Sequence, residues 1–405
     1  MTPAARIQAA IEILEALAHT DQPADRLLRD WFRTRRYAGS KDRASVGERV
    51  FTIERHRSAI AWRMQDDSPR ALAIASILKD GADPTTLFTS EGYGPAALTQ
   101  AEHDAIAATP PEAPVHVQGE YPPFLEPELR RTFGEGMLQE MIALQDRAPV
   151  DLRVNTLKTT RDDVIAVLRE EGRDPQPTNR SPVGIRLSEG SAALGRSALF
   201  ESGAFEFQDE AAQIASQLCG AKPGDRVLDL AAGAGGKSLA LAALMENEGE
   251  IVATDIRAAA LEELAKRALR AGASIIQPTR DAEGLFDIVL LDSPCSGSGT
   301  WRRQPELRWR LTPELLSTRM KLQDELLERA ARHVRPGGRL VYATCSILPC
   351  ENQDRISAFR TRQPAFEPAG EDFLASPHST NTDGFFTAVL INTPAASRAL
   401  DKKEG

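Results

Sequence analysis

From Gly224 onward, short apolar runs alternate with helical segments. RVLDL, EIVATD, SIIQ, DIVLLD and GRLVYATC are five strand candidates, and LALAALM, AAALEELAKRALR and PELLSTRMKLQDELLERAARHV are the helices between them. Continuous apolar strands that alternate with helices predict an α/β domain built on a buried parallel sheet of the doubly wound type. GFFTAVLIN at 384–392 reads as a late strand closing that sheet at an edge. In such a sheet, ligands bind at the carboxyl ends of the strands.

Upstream, residues 1–80 read as an all-helical module. Ile7, Ile11, Leu14 and Leu17 recur at helical spacing, and AWRM and ALAIASIL continue the pattern. Residues 81–149, rich in Pro and Gly over much of their length, read as a linker with short helices. Residues 150–207 read as a small α+β module of β-α-β type. LRVNTL is a strand, DDVIAVLREEG a helix ending at Gly172, and GIRL a second strand; LFESGAFEFQDEAAQIASQL then turns from a strand-like pattern into a helix. The sheet domain occupies 208–393, and 394–405 is a polar tail.

The 405 residues carry 49 Lys+Arg against 58 Asp+Glu, a net charge of -9, which argues against a simple polybasic nucleic-acid binder. The charge is uneven, however. Residues 26–63 hold eleven basic against four acidic side chains, with Trp31, Phe32 and Tyr37 interleaved, whereas residues 71–150 hold four against twelve. No apolar stretch approaches the ~18 residues of a membrane span. The N-terminal segment, with Glu12 and Glu15 inside its apolar pattern, reads as an amphipathic helix and not a signal peptide. Four cysteines without CxxC spacing are too few for a disulfide scaffold, so a reducing, cytoplasmic setting is expected. No His or second Cys stands at metal-ligand spacing, and no metal is expected. A monomer is expected.

The first strand, RVLDL, runs into AAGAGGKS and a helix. Small residues from Ala231 through Ala232, Gly233, Ala234 and Gly235 to Gly236 let a ligand approach the backbone, and the helix N-terminus offers free N–H groups. Asp255 ends the second strand, 22 residues after Gly233, where a carboxylate can hold a ribose diol. The loop is not a phosphate-binding GxxxxGK[ST], because Gly233 lies four residues before Lys237, and GAGG lacks dinucleotide GxGxxG spacing. A bare strand–helix turn with a surface Asp is the bland alternative; the two features in order favour a nucleoside-type cofactor.

Cys295, in DSPCSGSG, and Cys345, in YATCSILPC, each follow a strand's carboxyl end within a small-residue turn. A lone free Cys is usually a small buried hydrophobe, and Cys219 and Cys350 keep that reading. Two at equivalent strand ends weaken it. A thiolate is a strong nucleophile and a good leaving group. Its addition at C6 of a pyrimidine makes C5 electron-rich enough to alkylate, and Asp292 can bond the base's polar edge as charge develops.

DLAAGAGGKS, DSPCSGSGTWRRQPELRW and YATCSILPCEN, in this order, resemble the Nop/Sun family of RNA cytosine-5 methyltransferases, in particular its bacterial 16S rRNA methyltransferase B type. The resemblance covers about 205–392. LRVNTLKTTRDD and FEFQDEAAQ resemble the family's RNA-binding module, and the N-terminal helices a NusB-like domain. It implies a Rossmann-like class I methyltransferase domain that uses S-adenosylmethionine and acts on RNA, most directly rRNA. It makes Cys345 the nucleophile, Cys295 the cysteine assisting release, and Asp292 the acid at the target cytosine that also borders the cofactor. Residues 231–237 become the cofactor loop, Asp255 the ribose acid, and Asp281 the match for the acid near adenine. The family loop commonly reads CAAPGGK; here it reads AAGAGGK, keeping the turn chemistry.

Arg302 and Arg303, with Arg308 and Arg310 around Trp301 and Trp309, are the candidate RNA contacts, suited to phosphates and stacked bases. A salt-bridged surface turn is the alternative. Two other functions compete: a class I methyltransferase for another RNA, a protein or a small molecule, which would not need both cysteines, and an RNA-binding assembly factor without turnover, which would not need Cys295, Cys345 and Asp292 intact.

Overall fold

Alternation of side chains along the strands gives the larger sheet two buried faces. Val227, Ile251, Ala253, Ile288, Leu290 and Val341 enter one core, while Leu228, Val252, Val289, Leu291, Leu340 and Tyr342 enter another. Successive residues of a strand point to opposite faces, and each fully buried Val, Leu or Ile contributes roughly 1.5–3 kcal/mol. The computed structural model describes residues 1–188 and 191–393; the expected tail 394–405 lies outside the described residues.

Two compact units form: residues 1–147 with 300–311, and residues 148–299 with 312 onward. The first begins with helices α1 (Pro3–Ala18), α2 (Ala24–Arg33), α3 (Ser40–Arg55), α4 (Arg57–Met64) and α5 (Pro69–Lys79). Ile7, Ile11, Leu14 and Leu17 are all buried. The short helices Gln100–Ala107, Val115–Gln118, Glu126–Phe133 and Met137–Ala143 follow.

The second unit holds two sheets. The smaller contains β1 (Val150–Val154), β2 (Gln176–Pro177), β3 (Gly184–Leu187) and β4 (Phe205–Phe207), in the order β2-β3-β1-β4. Every pairing in it is antiparallel, so the module is not a parallel β-α-β crossover. The expected strand-like start at LFE is a helical turn, Ala198–Glu201, capped by the Ser197 hydroxyl; β4 begins only after Gly203.

The larger sheet contains β5 (Arg226–Asp229), β6 (Glu250–Thr254), β7 (Ile276–Thr279), β8 (Phe286–Asp292), β9 (Val334–Thr344), β10 (Phe366–Pro368), β11 (Phe373–Ala375) and β12 (Phe385–Asn392). Its order is β10-β12-β9-β8-β5-β6-β7, with β11 also on β12. β5 to β9 pair in parallel, and β12 runs antiparallel to β9. β12 is therefore not the edge expected for it: β10 and β11 flank it. β7 begins two residues later than SIIQ and includes Pro278, which an edge strand tolerates because its outward side needs no N–H. Strand order reverses between β5 and β8, and the crevice at their carboxyl ends is where such sheets take ligands.

Candidate active site

The turn after β5 has Gly233 at φ 56° and Gly235 at φ 81°. A Cβ on Gly235 would stand 2.5 Å from Leu264 Cγ, so both the backbone conformation and the close packing require glycine. Gly235 is buried, whereas Ala231, Ala232, Gly233, Ala234, Gly236 and Lys237 remain partly exposed. The loop backbone is thus open to a ligand that side chains would otherwise exclude. The Gly233 N–H donates to Asp255 Oδ2 at 3.0 Å, which ties the loop to the end of β6. Arg257 also donates to that carboxylate, through its backbone N–H at 2.8 Å and through Nε and Nη2 at 3.0 Å. Burial pushes the Asp255 carboxyl up, but the Arg257 bonds outweigh it and hold the group below its ordinary value. Asp281 follows β7 and is exposed.

Lys237 does not join the backbone cradle of its own loop. Its Nζ lies 2.5 Å from Asp292 Oδ2, at the end of β8, and 5.0 Å from the Phe385 ring centroid. Burial disfavours the ammonium, yet the Asp292 carboxylate overcompensates and its pKa lies above the ordinary value. Lys237 is therefore a fixed cation beside the motif acid.

Cys295 and Cys345 meet: their sulfurs are 3.4 Å apart, and both residues are partly buried. The Gly299 N–H donates to the Cys345 carbonyl at 2.9 Å, and the Gly384 N–H donates to the Gly299 carbonyl at 2.8 Å. Gly299 and Gly384 lie so close that a Cβ on Gly299 would stand 2.0 Å from the Gly384 oxygen. The Cys295 thiol is raised well above its ordinary value, first by its hydrogen bond to Cys345 and then by burial. The pair is thus arranged as a thiol at Cys295 facing the Cys345 sulfur. Cys219 differs. It is fully buried, its thiol is pushed up to about 12 by burial, and Sγ contacts the Ala215 carbonyl at 3.4 Å. Cys350 sits in the turn Pro349–Glu351. Among the described residues, no group of three or more His, Cys, Asp or Glu could hold a metal, and no helix is long and apolar enough to cross a membrane.

Three functional candidates escaped sequence reasoning. Asp229, at the end of β5, is fully buried and accepts the Ser238 hydroxyl at 2.6 Å. Arg153, on β1, donates to the Gly236 carbonyl at 2.5 Å and to Gln208 Oε1 at 2.6 Å, joining the small sheet to the glycine loop. Glu351 lies buried behind both cysteines. The only signal of each was a charged residue next to an apolar run.

The WRRQPELRWR segment requires a correction. Trp301 and Arg308 are fully buried, with the Arg308 guanidinium 4.9 Å from the Trp301 ring centroid. Arg308 donates to the carbonyls of Arg55 and Leu144, Trp309 Nε1 to that of Glu54, and Arg310 to that of Gln22. Much of the run is an anchor within the first unit instead of an open stacking platform. Arg302 is 4% exposed and Arg303 partly exposed, so neither presents a fully solvated guanidinium.

A doubly wound sheet whose reversal point carries a glycine loop, a ribose-type acid and no phosphate-binding lysine loop defines a Rossmann-like methyltransferase that uses S-adenosylmethionine. Residues 217–391 match the family described as 16S rRNA methyltransferase RsmB/F, and residues 121–193 match the ferredoxin-like domain of RsmF/B-like methyltransferases. The chain belongs to the RsmB/F methyltransferase family. It is 34% identical over 298 residues to the probable ribosomal RNA small subunit methyltransferase B of Synechocystis, covering 67% of each chain. It is 33% identical over 263 residues to the ribosomal RNA small subunit methyltransferase B of Cronobacter sakazakii, covering 62% of this chain and 61% of that one. The matches therefore span about two thirds or less of those relatives. The crystal structure of PH0851 superposes with a TM-score of 0.77 at 27% identity, covering 96% of this chain and 99% of that one.

Proposed function

We propose that this chain methylates C5 of a cytosine in 16S rRNA, with Cys345 as the nucleophile. The observation that carries this reading is the sulfur pair, 3.4 Å apart at the carboxyl ends of the adjacent parallel strands β8 and β9. The glycine loop and Asp255 would hold S-adenosylmethionine, which supplies an electrophilic methyl group. Exposed Ile256, next to Asp255, offers an apolar face for a base, and Asp281 is the proposed adenine-side acid.

In this mechanism the Cys345 thiolate adds to C6 of the cytosine, aided by the Cys295 S–H bond to its sulfur. Asp292, oriented by Lys237, binds the amino edge of the base, and C5 becomes nucleophilic. Once Cys345 is bonded to carbon, the contact that most raises Cys295 is gone, and Cys295 can ionise. It then takes the C5 proton, the C5–C6 double bond re-forms, and the C6–Sγ bond breaks. The small module 150–207, the helical module 1–80 and the Arg302–Arg303 pair are the proposed RNA-side parts, in a cytoplasmic monomer.

The test separates the two sulfurs. With RNA and S-adenosylmethionine, Cys295→Ala should accumulate a covalent protein–RNA band on a denaturing gel, because release fails after attack. Cys345→Ser should form none, and the double variant should form none. Continued turnover by both single variants would reject the covalent mechanism, and bisulfite sequencing of 16S rRNA from cells lacking the protein identifies the base.

A further inference from the structure

Resting on the cytosine-5 reading, this inference concerns what sets the contact between the two sulfurs. Neither thiol is held by a bond from its own strand, and 3.4 Å is a soft contact. Behind them lies Glu351, 0% exposed. Its Oε1 accepts the Ser296 N–H at 2.8 Å and Gln323 Nε2 at 3.0 Å. Its Oε2 accepts the hydroxyls of Ser296 and Ser346, each at 2.5 Å. Ser296 follows Cys295, and Ser346 follows Cys345. A carboxylate offers about four lone-pair sites and no donor, and four donors from two loops and a helix fill them. The tie continues outward. Ser346 meets the Ser298 hydroxyl at 3.0 Å, Gln323 also bonds the Pro294 carbonyl at 3.0 Å, and the Tyr342 hydroxyl bonds the Glu351 carbonyl at 2.6 Å.

All four donors to the side chain are neutral groups. Burying a carboxylate against neutral donors is costly compared with an apolar filler, which suits a site where two loops must be held in register more than a site that only needs filling. We propose that Glu351 is a positioning residue for methyl transfer: through Ser296 and Ser346 it binds the Cys295 turn to the Cys345 turn and keeps the two sulfurs in contact.

Phenylarsine oxide reads that contact without RNA or cofactor. It condenses with two thiols within reach, releasing one water and forming two As–S bonds, and the ring resists exchange with excess monothiol. The full-length chain should retain one equivalent through this pair, and Cys295→Ser should lose it. Glu351→Ala should release the arsenical at least about tenfold more readily, because the second thiol's effective concentration falls. Its kcat for methyl transfer should fall about 100-fold, as for a misplacement near 1 Å, with the S-adenosylmethionine KM unchanged. Glu351→Gln keeps the shape and one carbonyl acceptor and should lie between. Should Glu351→Ala not fold, Ser346→Ala cuts the same tie without orphaning the charge and should show a smaller loss of the same kind. A folded Glu351→Ala, or failing that Ser346→Ala, that retains the arsenical like the parent overturns the proposal. So does a variant whose KM rises while kcat stands. If the RNA product is not 5-methylcytosine, the functional reading fails, and arsenical retention still decides the role of Glu351.

Discussion

Asp229 and Asp255 end neighbouring parallel strands, and their surroundings drive them apart. Burial pushes Asp229 up to about 7, against the opposing Ser238 bond, whereas Arg257 holds Asp255 low. A raised carboxyl in the fold means that the native state binds a proton the unfolded chain has lost. Asp229 therefore carries no ionisation penalty below the unfolded value near 4; the penalty grows to about pH 7 and is constant above. Asp229→Asn cannot ionise. Relative to the parent, it should gain about 1–3 kcal/mol between pH 4 and pH 8, read from urea melts. The same difference at both pH values would show that Asp229 does not titrate in this window. Asp255→Ala should weaken S-adenosylmethionine binding by about 1.5–3 kcal/mol, the worth of a charge-assisted hydrogen bond. Calorimetry finding parent-like affinity in a folded variant would remove Asp255 from the cofactor site. The glycine loop and Asp255 were legible because their chemistry follows from local spacing. Asp229 was not, since only burial on both faces of the sheet distinguishes it from an ordinary strand-end acid.

α4 starts at Arg57 with no side-chain cap from its own N-cap residue, His56. The cap comes from Glu120, whose Oε2 accepts the Ser58 N–H at 2.7 Å and whose Oε1 accepts the Ala59 N–H at 2.9 Å. These are two of the orphan donors of a helix start. Glu120→Ala leaves them buried without a partner and should cost about 1–3 kcal/mol in a urea melt, with Glu120→Gln costing less. An unchanged midpoint for Glu120→Ala would mean that water caps α4 equally well. Helical periodicity revealed α1 to α5, but not this cap, because its two parts are about 60 residues apart. The same limit explains the errors in the sheet. β10 and β11, at three residues each, are too short to show a period, so β12 read as an edge. The pairing partners of β1 decided that the small sheet is antiparallel, and strand patterns alone do not carry that information.

The chain passes between its two units three times, after 147, 299 and 311. Residues 300–311 are therefore a loop of the second unit in sequence but part of the first in packing. Trp301, Arg308 and Leu311 are buried there. Residues 148–405 expressed alone should expose them, bind a hydrophobic dye and lose solubility relative to the full chain, whereas replacing 300–311 by a short polar linker should restore solubility. A fragment that is well behaved with Trp301 intact would show that this segment can bury itself without residues 1–147.

What the sequence determined by itself is whatever short-range chemistry specifies: the alternation of strands and helices, the glycine turn, the acid after β6 and a thiol after each of β8 and β9. Tertiary structure alone decided which of these meet. It brought together two sulfurs 50 residues apart, turned Lys237 toward Asp292 and set Glu351 behind both cysteines. It also turned an arginine–tryptophan run that looked like an RNA surface into an anchor. The reason is physical: burial and charge pairing are properties of the folded neighbourhood, and the same arginine or carboxylate serves equally well at a surface or in a core until its neighbours are in place.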